Sequence, residues 1–152
     1  GIRVPWIIYW SGTIPGGQVI DSPIITLDIA PTVLFLAESS KVSDLDGINL
    51  YPYITDRGKT IPERSLFWYS RAQIAVRKGP WKLFKTTHNG FSYLVNLDED
   101  ISEQNDISND HPEIVETLTK ELDEWQSKMQ ISPDKDILPP SMENRLFYYL
   151  NR

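Results

Sequence analysis

The chain has 152 residues, 40% apolar and 24% charged, enough material for one sizeable hydrophobic core. Its net charge of −6 and sequence pI near 4.9 argue against a nucleic-acid platform, which needs a basic face. Without cysteine it can form no disulfide and offers no thiol nucleophile or Cys-ligated metal site; no run approaches the ~18 apolar residues of a membrane span.

Gly1-Ile2-Arg3 runs straight into an apolar segment with neither an initiator Met nor a signal peptide, so a fragment of a longer protein is expected. Residues 4–10 (VPWIIYW) read as a strand buried on both faces, with Pro5 tolerable near its start. Residues 11–17 (SGTIPGG) are a turn-rich loop. Thr26 then reads as the N-cap of a helix reaching about Ala37, with Leu27, Ala30, Leu34 and Ala37 on one face. Asp28 suits the positive helix start, and Pro31 falls near the first turn, where a missing N–H costs least. A strand followed by such a helix is a piece of an α/β layer, and it needs a sheet that the chain itself does not supply. Residues 44–54 continue irregularly, with Gly47 and Pro52 preventing a long helix. Residues 55–64 (TDRGKTIPER) read as a linker.

Residues 66–84 hold three short runs rich in aromatic and β-branched residues, separated by residues 70–73 and by Lys78-Gly79-Pro80. Ile74 and Val76 alternate with Ala75 and Arg77; Trp81 and Leu83 alternate with Lys82 and Phe84. That period of two predicts an antiparallel sheet with one buried side. Gly79 supplies easy positive φ for a hairpin between the second and third runs, and Asn89-Gly90 predicts another hairpin into a fourth strand at residues 91–97. Residues 98–110 carry six acidic residues and no Lys or Arg, and read as a solvated loop; the spacing does not suit an EF-hand. A helix follows, with Asp110 as its cap, Pro112 in its first turn, and Val115, Leu118, Leu122, Trp125 and Met129 as the stripe laid on the sheet. Beyond it, Pro133, Pro139 and Pro140 divide a tail ending in RLFYYLNR.

No Gly-rich phosphate loop, His-x-x-x-His pair or Gly-x-Ser-x-Gly elbow is present, so the chain contains no self-sufficient active site. Its two histidines, His88 in a turn and His111 at a helix start, read first as exposed polar residues. Around the first strand-to-strand turn, Trp68, Tyr69, Ser70, Arg71 and Gln73 mix aromatic platforms with hydrogen-bonding groups. The mixture suits a sugar, with Arg71 able to hold an anionic oxygen bidentately; the competing reading makes Trp68 core and Arg71 a solvated turn charge.

Several segments in order resemble the C-terminal part of a formylglycine-dependent sulfatase of the alkaline phosphatase superfamily. Gly1-Ile2-Arg3-Val4-Pro5 is similar to the end of the family's Glu-Gly-Gly-x-Arg-Val-Pro segment. Trp10 through Gly17 resembles its W-P-G-x-I-P-x-G loop, with Ser11 in place of Pro. Leu27-Asp28-Ile29-Ala30-Pro31-Thr32 resembles D-[IL]-x-P-T, and Asp46-Gly47-Ile48-Asn49-Leu50 resembles D-G-x-[SD]-L. Ala75 through Leu83 is close to A-V-R-x-G-x-W-K-L. Residues 96–106 follow Y-D-L-x-x-D-P-x-E-x-x-N-L, with Ile101 where Pro is usual.

The resemblance implies an α/β parent: residues 1–54 closing the catalytic domain, 55–64 a linker, 65–130 a four-stranded antiparallel sheet with one packed helix, and 131–152 a tail. It implies a sulfuric ester hydrolase acting on sulfated carbohydrate or aryl sulfate, periplasmic or secreted, using calcium and a formylglycine made in a Cys/Ser-x-Pro-x-Arg motif. That motif and the family's metal ligands are absent here, and its last catalytic lysine would fall before Gly1. No catalytic or metal role therefore carries over, and the fragment is expected to be inactive alone. Tyr69, Ser70, Arg71, Gln73 and His88 are the implied substrate-side contacts. Exposed apolar surface at residues 4–10 and 27–37 is expected, and with it a route to self-association. A phosphodiesterase or phosphonate hydrolase on the same scaffold, and a non-catalytic glycan-binding module, are the competing readings.

Overall fold

The computed structural model describes residues 4–39, 44–70, 73–86 and 90–129. The chain divides into two compact units, Gly1–Pro62 and Glu63–Arg152.

In the second unit, β1 (Leu66–Ser70), β2 (Gln73–Lys78), β3 (Trp81–Thr86) and β4 (Ser92–Asn96) form an antiparallel meander in the order β1-β2-β3-β4. The hairpin between β2 and β3 pairs Lys78 with Trp81, leaving Gly79 and Pro80 as its two-residue turn. Gly79 has φ +54°, and a Cβ there would come within 2.6 Å of the Glu63 carboxylate, so both backbone and space call for glycine.

Alternation then sorts the sheet into two faces. Ile74, Val76, Leu83 and Leu94 meet Leu118 and Leu122 of α3 (Pro112–Lys128), with Phe67, Trp81, Ile114, Val115 and Trp125 packed around them. Phe67 and Trp125 stack with ring centroids 5.1 Å apart. Burying each of these large side chains contributes about 1.5–3 kcal/mol relative to exposure. The helix stripe is thus the expected one up to Trp125. Met129 instead lies just past the helix, at its C-cap with extended backbone. His111, not Asp110, stands at the N-cap position, and no side chain caps the helix; Pro112 opens it. Pro at the first turn presets φ and lacks the N–H a cap would satisfy.

The sheet departs from the one-sided pattern expected of it. Its other face also carries buried side chains: Leu66, Lys82, Tyr93 and Val95. Lys82 is compatible with burial because its ammonium meets Glu103 at 2.5 Å. The acidic segment after β4 is also more than a solvated loop. Asp106 Oδ1 accepts from the Leu94 amide at 3.1 Å and the Ile107 amide donates to the Leu94 carbonyl at 3.0 Å, closing the open edge of β4. Asp100 accepts hydrogen bonds from the backbone amides of Gln104 and Asn105, both at 2.7 Å, and from Ser102 Oγ at 2.9 Å. The Asn105 amide bond, together with those from Ser102 and Gln104, holds its carboxyl below the usual carboxylate range.

The first unit contains a 3-10 turn at Thr26–Asp28, α1 (Ile29–Leu36) and the short α2 (Tyr51–Thr55), and no strand among its described residues. Residues 4–10, read from sequence as a buried strand, form no ladder. Ile7 and Tyr9 are 88% and 86% exposed. A strand needs a neighbour to take its N–H and C=O groups, and no described segment of this unit offers one. The helix expected from Thr26 begins later, because Thr26 belongs to the 3-10 turn. Its apolar stripe is largely exposed, as expected: Leu27, Ala30 and Ala37 face solvent and Leu34 is half-buried, while Pro31 and Thr32 are the buried positions.

What organises this unit is polar. Asp28, fully buried, accepts from the Ile25 amide through Oδ2 and from the Ile48 amide through Oδ1, both at 2.9 Å. Thr32 Oγ1 donates to the Asp28 carbonyl at 2.6 Å and accepts from the Leu50 amide at 2.9 Å. Gly47 lies so close to this turn that a Cβ would sit 2.1 Å from the Leu27 carbonyl oxygen. The D-I-A-P-T and D-G-I-N-L segments are therefore two halves of one latch.

Candidate functional site

Of the residues proposed from sequence as substrate contacts, Ser70 and Gln73 meet at one end of the sheet. Ser70 and Gln73 are direct cross-strand partners, and Gln73 pairs onward with Thr86. Alternation places all three on the face opposite α3, one step along from the row Trp68, Ala75, Phe84 and Tyr93. Phe84 and Tyr93 stack at 4.9 Å, and Phe91 approaches Tyr93 at 6.4 Å. The result is a polar row of hydroxyl, amide and hydroxyl beside an aromatic row, the composition a pyranose takes: an apolar face for the ring and donors and acceptors for its hydroxyls. Tyr93 itself is committed to the fold. Its hydroxyl donates to the Glu103 carbonyl at 3.2 Å, and burial, with the carboxylates of Asp106, Asp100 and Glu103, raises its pKa above the ordinary phenol value.

Tyr69 is not on that surface. It pairs with Ile74, which faces α3, and so belongs to the helix side of the sheet, where it is 43% exposed. Neighbours in a strand point to opposite faces, which separates Tyr69 from Ser70 and Gln73 despite their adjacency in sequence. Arg71 and His88 lie outside the described residues. His111 is half-exposed, its ring 5.0 Å from that of Trp81 and Nδ1 3.6 Å from Glu113.

The first unit adds two concavities that sequence did not suggest. One, of about 520 Å³, is lined mainly by apolar groups including Trp6, Trp10, Ile20, Leu50, Ile54 and Ile61. The other, of about 400 Å³, is more polar and lies between residues 18–22 and the turn that follows α2. Their lining comes from segments some thirty to forty residues apart, as the Gln18–Ile54 and Arg57–Gly16 hydrogen bonds show. Neither helical nor strand periodicity registers such a juxtaposition. Among the described residues, no group of three or more His, Asp or Glu side chains is placed to hold a metal ion.

A four-stranded antiparallel sheet closed by one C-terminal helix is a fold this chain shares with solved structures that include a 2-O GAG sulfatase. The structure superposes on that of Ps i-CgsB with a TM-score of 0.66 at 21% identity, covering 92% of this chain and 32% of the other. It superposes on BT4656 in complex with its substrate D-glucosamine-2-N,6-O-disulfate with a TM-score of 0.56 at 21% identity, covering 73% and 25%. At that identity the likeness establishes the fold. Residues 1–128 match the family model described as N-sulphoglucosamine sulphohydrolase, C-terminal, and the chain belongs to that family. Steryl-sulfatase from Homo sapiens is 39% identical over 98 residues, covering 59% of this chain and 17% of that protein. N-acetylgalactosamine-6-sulfatase from Canis lupus familiaris is 34% identical over 85 residues, covering 54% and 16%. The chain thus corresponds to about a sixth of the length of these relatives.

Proposed function

We propose that the whole protein hydrolyses sulfate esters carried on carbohydrate, and that this chain supplies a wall of the substrate site without supplying the reacting groups. The match of residues 1–128 to a sulfatase C-terminal family carries the reading. The sugar-type surface at Ser70, Gln73 and Thr86 supports a carbohydrate over an aryl sulfate, as do the disulfated glucosamine and the neocarrahexaose named with two of the solved neighbours. Arg71, as the cation for a sulfate oxygen, and His88, as a further substrate contact, join this wall in the proposal. Calcium and formylglycine, with the location outside the cytoplasm that the family resemblance implies, belong here as well. The side chains described do not fit either group: the chain has no Cys/Ser-x-Pro-x-Arg motif, and in the acidic loop Asp100 and Asp106 accept from backbone amides while Glu103 pairs with Lys82. Residues outside this chain would hold them.

The test is turnover by the whole protein on a sulfated oligosaccharide, an aryl sulfate and an aryl phosphodiester. Inorganic sulfate should be released, with the sulfated sugar the best substrate. Hydrolysis confined to the phosphodiester would move the protein to phosphoryl transfer, and glycan binding without any turnover would make it a binding module. Within a turning-over enzyme, Ser70→Ala and Gln73→Ala should each raise KM about three- to tenfold, the loss of one net hydrogen bond. An unchanged kcat/KM on every sulfated sugar would remove the wall from the account.

A further inference from the structure

The polar cleft of the first unit has a charge balance opposite to that of the chain as a whole. The chain carries a net charge of −6, yet the cleft places Arg57 and Lys59 against a single carboxylate, Asp21. Its lining also includes Gln18, Ser22, Tyr53 and Thr60 as hydrogen-bonding groups, with Ile20 and Ile61 as apolar surface. We propose that this cleft binds the sulfate group of a glycan residue remote from the ester being cleaved, a secondary subsite that selects multiply sulfated chains. The proposal rests on the sulfatase reading above and specifies its substrate.

The Arg57 guanidinium is held in position by the backbone. Gln18 Nε2 donates to the Pro15 carbonyl at 3.0 Å and to the Ile54 carbonyl at 2.9 Å, stitching the 15–18 loop to α2. Asp56 then closes a tight turn: its Oδ1 accepts from the Gly58 amide at 2.9 Å, and its carbonyl accepts from the Lys59 amide at 3.1 Å. Arg57 Nη2 donates to the Gly16 carbonyl at 2.8 Å, which fixes the guanidinium while leaving its other N–H groups unpaired among the described residues. The Lys59 ammonium has neither a hydrogen bond nor an ion pair there. A guanidinium fork so anchored, with a lysine lining the same cleft, matches the oxygens of a singly charged sulfate ester. The volume, about 400 Å³, lies within the range of small-molecule sites and exceeds what a bare ion needs. Tyr53, Ile20 and Ile61 give the remaining space an apolar character suited to a sugar ring.

The test compares the whole protein with its Arg57→Gln/Lys59→Gln variant, and with Lys59→Gln alone, which replaces a side chain that makes no hydrogen bond or ion pair among the described residues. Binding of a sulfated tetrasaccharide is titrated directly, alongside the same chain sulfated at one end only, and inorganic sulfate alone. The double variant should bind the multiply sulfated chain about tenfold more weakly, Lys59→Gln should fall between it and the native protein, and the singly sulfated chain should be unaffected. Turnover of an aryl sulfate should be unchanged in kcat and KM. Equal affinity of native and variant proteins for the multiply sulfated chain overturns the proposal. So does inorganic sulfate competing as well as the glycan, which would make this a site for the free ion. The titration is read without turnover, so failure of the hydrolase reading and failure of the subsite are separate results.

Discussion

The two units of this chain reach order by opposite routes. The second builds an apolar core from its own sequence: four strands alternate correctly, one helix supplies the matching stripe, and Val76, Leu83, Leu94 and Leu122 are wholly removed from solvent. The first buries a carboxylate and a hydroxyl, Asp28 and Thr32, in a latch around Gly47, and leaves most of its large apolar side chains exposed. Local pairing thus suffices for the second unit. The first holds one well-formed junction within a segment whose composition calls for a neighbouring sheet.

Substitutions can break this contrast at either end. The largest effect is expected at Gly47→Ala, because the added Cβ meets backbone and not a movable side chain. A loss of more than about 4 kcal/mol should appear as lost amide protection at Ile25, Ile48 and Leu50, with the sheet amides retained. Leu122→Ala should do the reverse, removing about 2–5 kcal/mol from the cooperative melting of the sheet and α3 while Ile48 and Leu50 keep their protection. Glu103→Ala strips the partner from a buried ammonium and should cost about 1–3 kcal/mol, seen as a lowered urea midpoint that Lys82→Met partly restores. Gly79→Ala, strained by its positive φ and crowded by Glu63, should cost about 1 kcal/mol in the same assay.

The smallest effect concerns the pair across the helix and sheet. Glu121 accepts from Lys78 at 2.5 Å and from Ser65 Oγ. Burial alone would raise its pKa, but these hydrogen bonds outweigh it and hold the carboxyl below its ordinary value, while the Glu121 hydrogen bond raises Lys78. A carboxyl depressed on folding adds stability above its unfolded pKa of about 4.3 and loses it as the pH falls through the lower folded value. Lys78 contributes below its unfolded pKa and stops contributing as pH rises through the raised one. The Tm of Glu121→Gln should therefore trail the native protein by a constant small amount near neutrality, worth under about 1 kcal/mol, and the gap should close below about pH 4.

Legibility in the sequence follows the same division. In residues 66–128, period-two alternation, Gly79 and the 3–4 spacing of Leu118, Leu122 and Trp125 all encode contacts made within the unit. What escaped there was the second buried face of the sheet, since Lys82 looks solvent-exposed until Glu103 is brought beside it by a loop. In residues 4–37, the apolar run and the helix stripe describe a burial that this unit does not itself provide: the expected strand does not form, while the apolar surface expected at residues 4–10 and 27–37 is exposed. The latch is present as motif but not as mechanism, because a hydrogen bond donated to Asp28 by an amide twenty residues away leaves no periodic trace. The candidate wall was legible in composition only: strand parity puts Ser70 and Gln73 together and sends Tyr69 to the other side.

Backbone hydrogen exchange of the 152-residue chain, read by residue, tests the contrast most directly. Amides of β2, β3, β4 and α3 should open only with global unfolding, those of Ile25, Ile48 and Leu50 should be protected to a lesser degree, and those of residues 6–10 should exchange near the unpaired rate. Uniform protection from residue 6 to residue 128 would contradict the account, because it would show the first unit burying and pairing its apolar run without a neighbouring sheet.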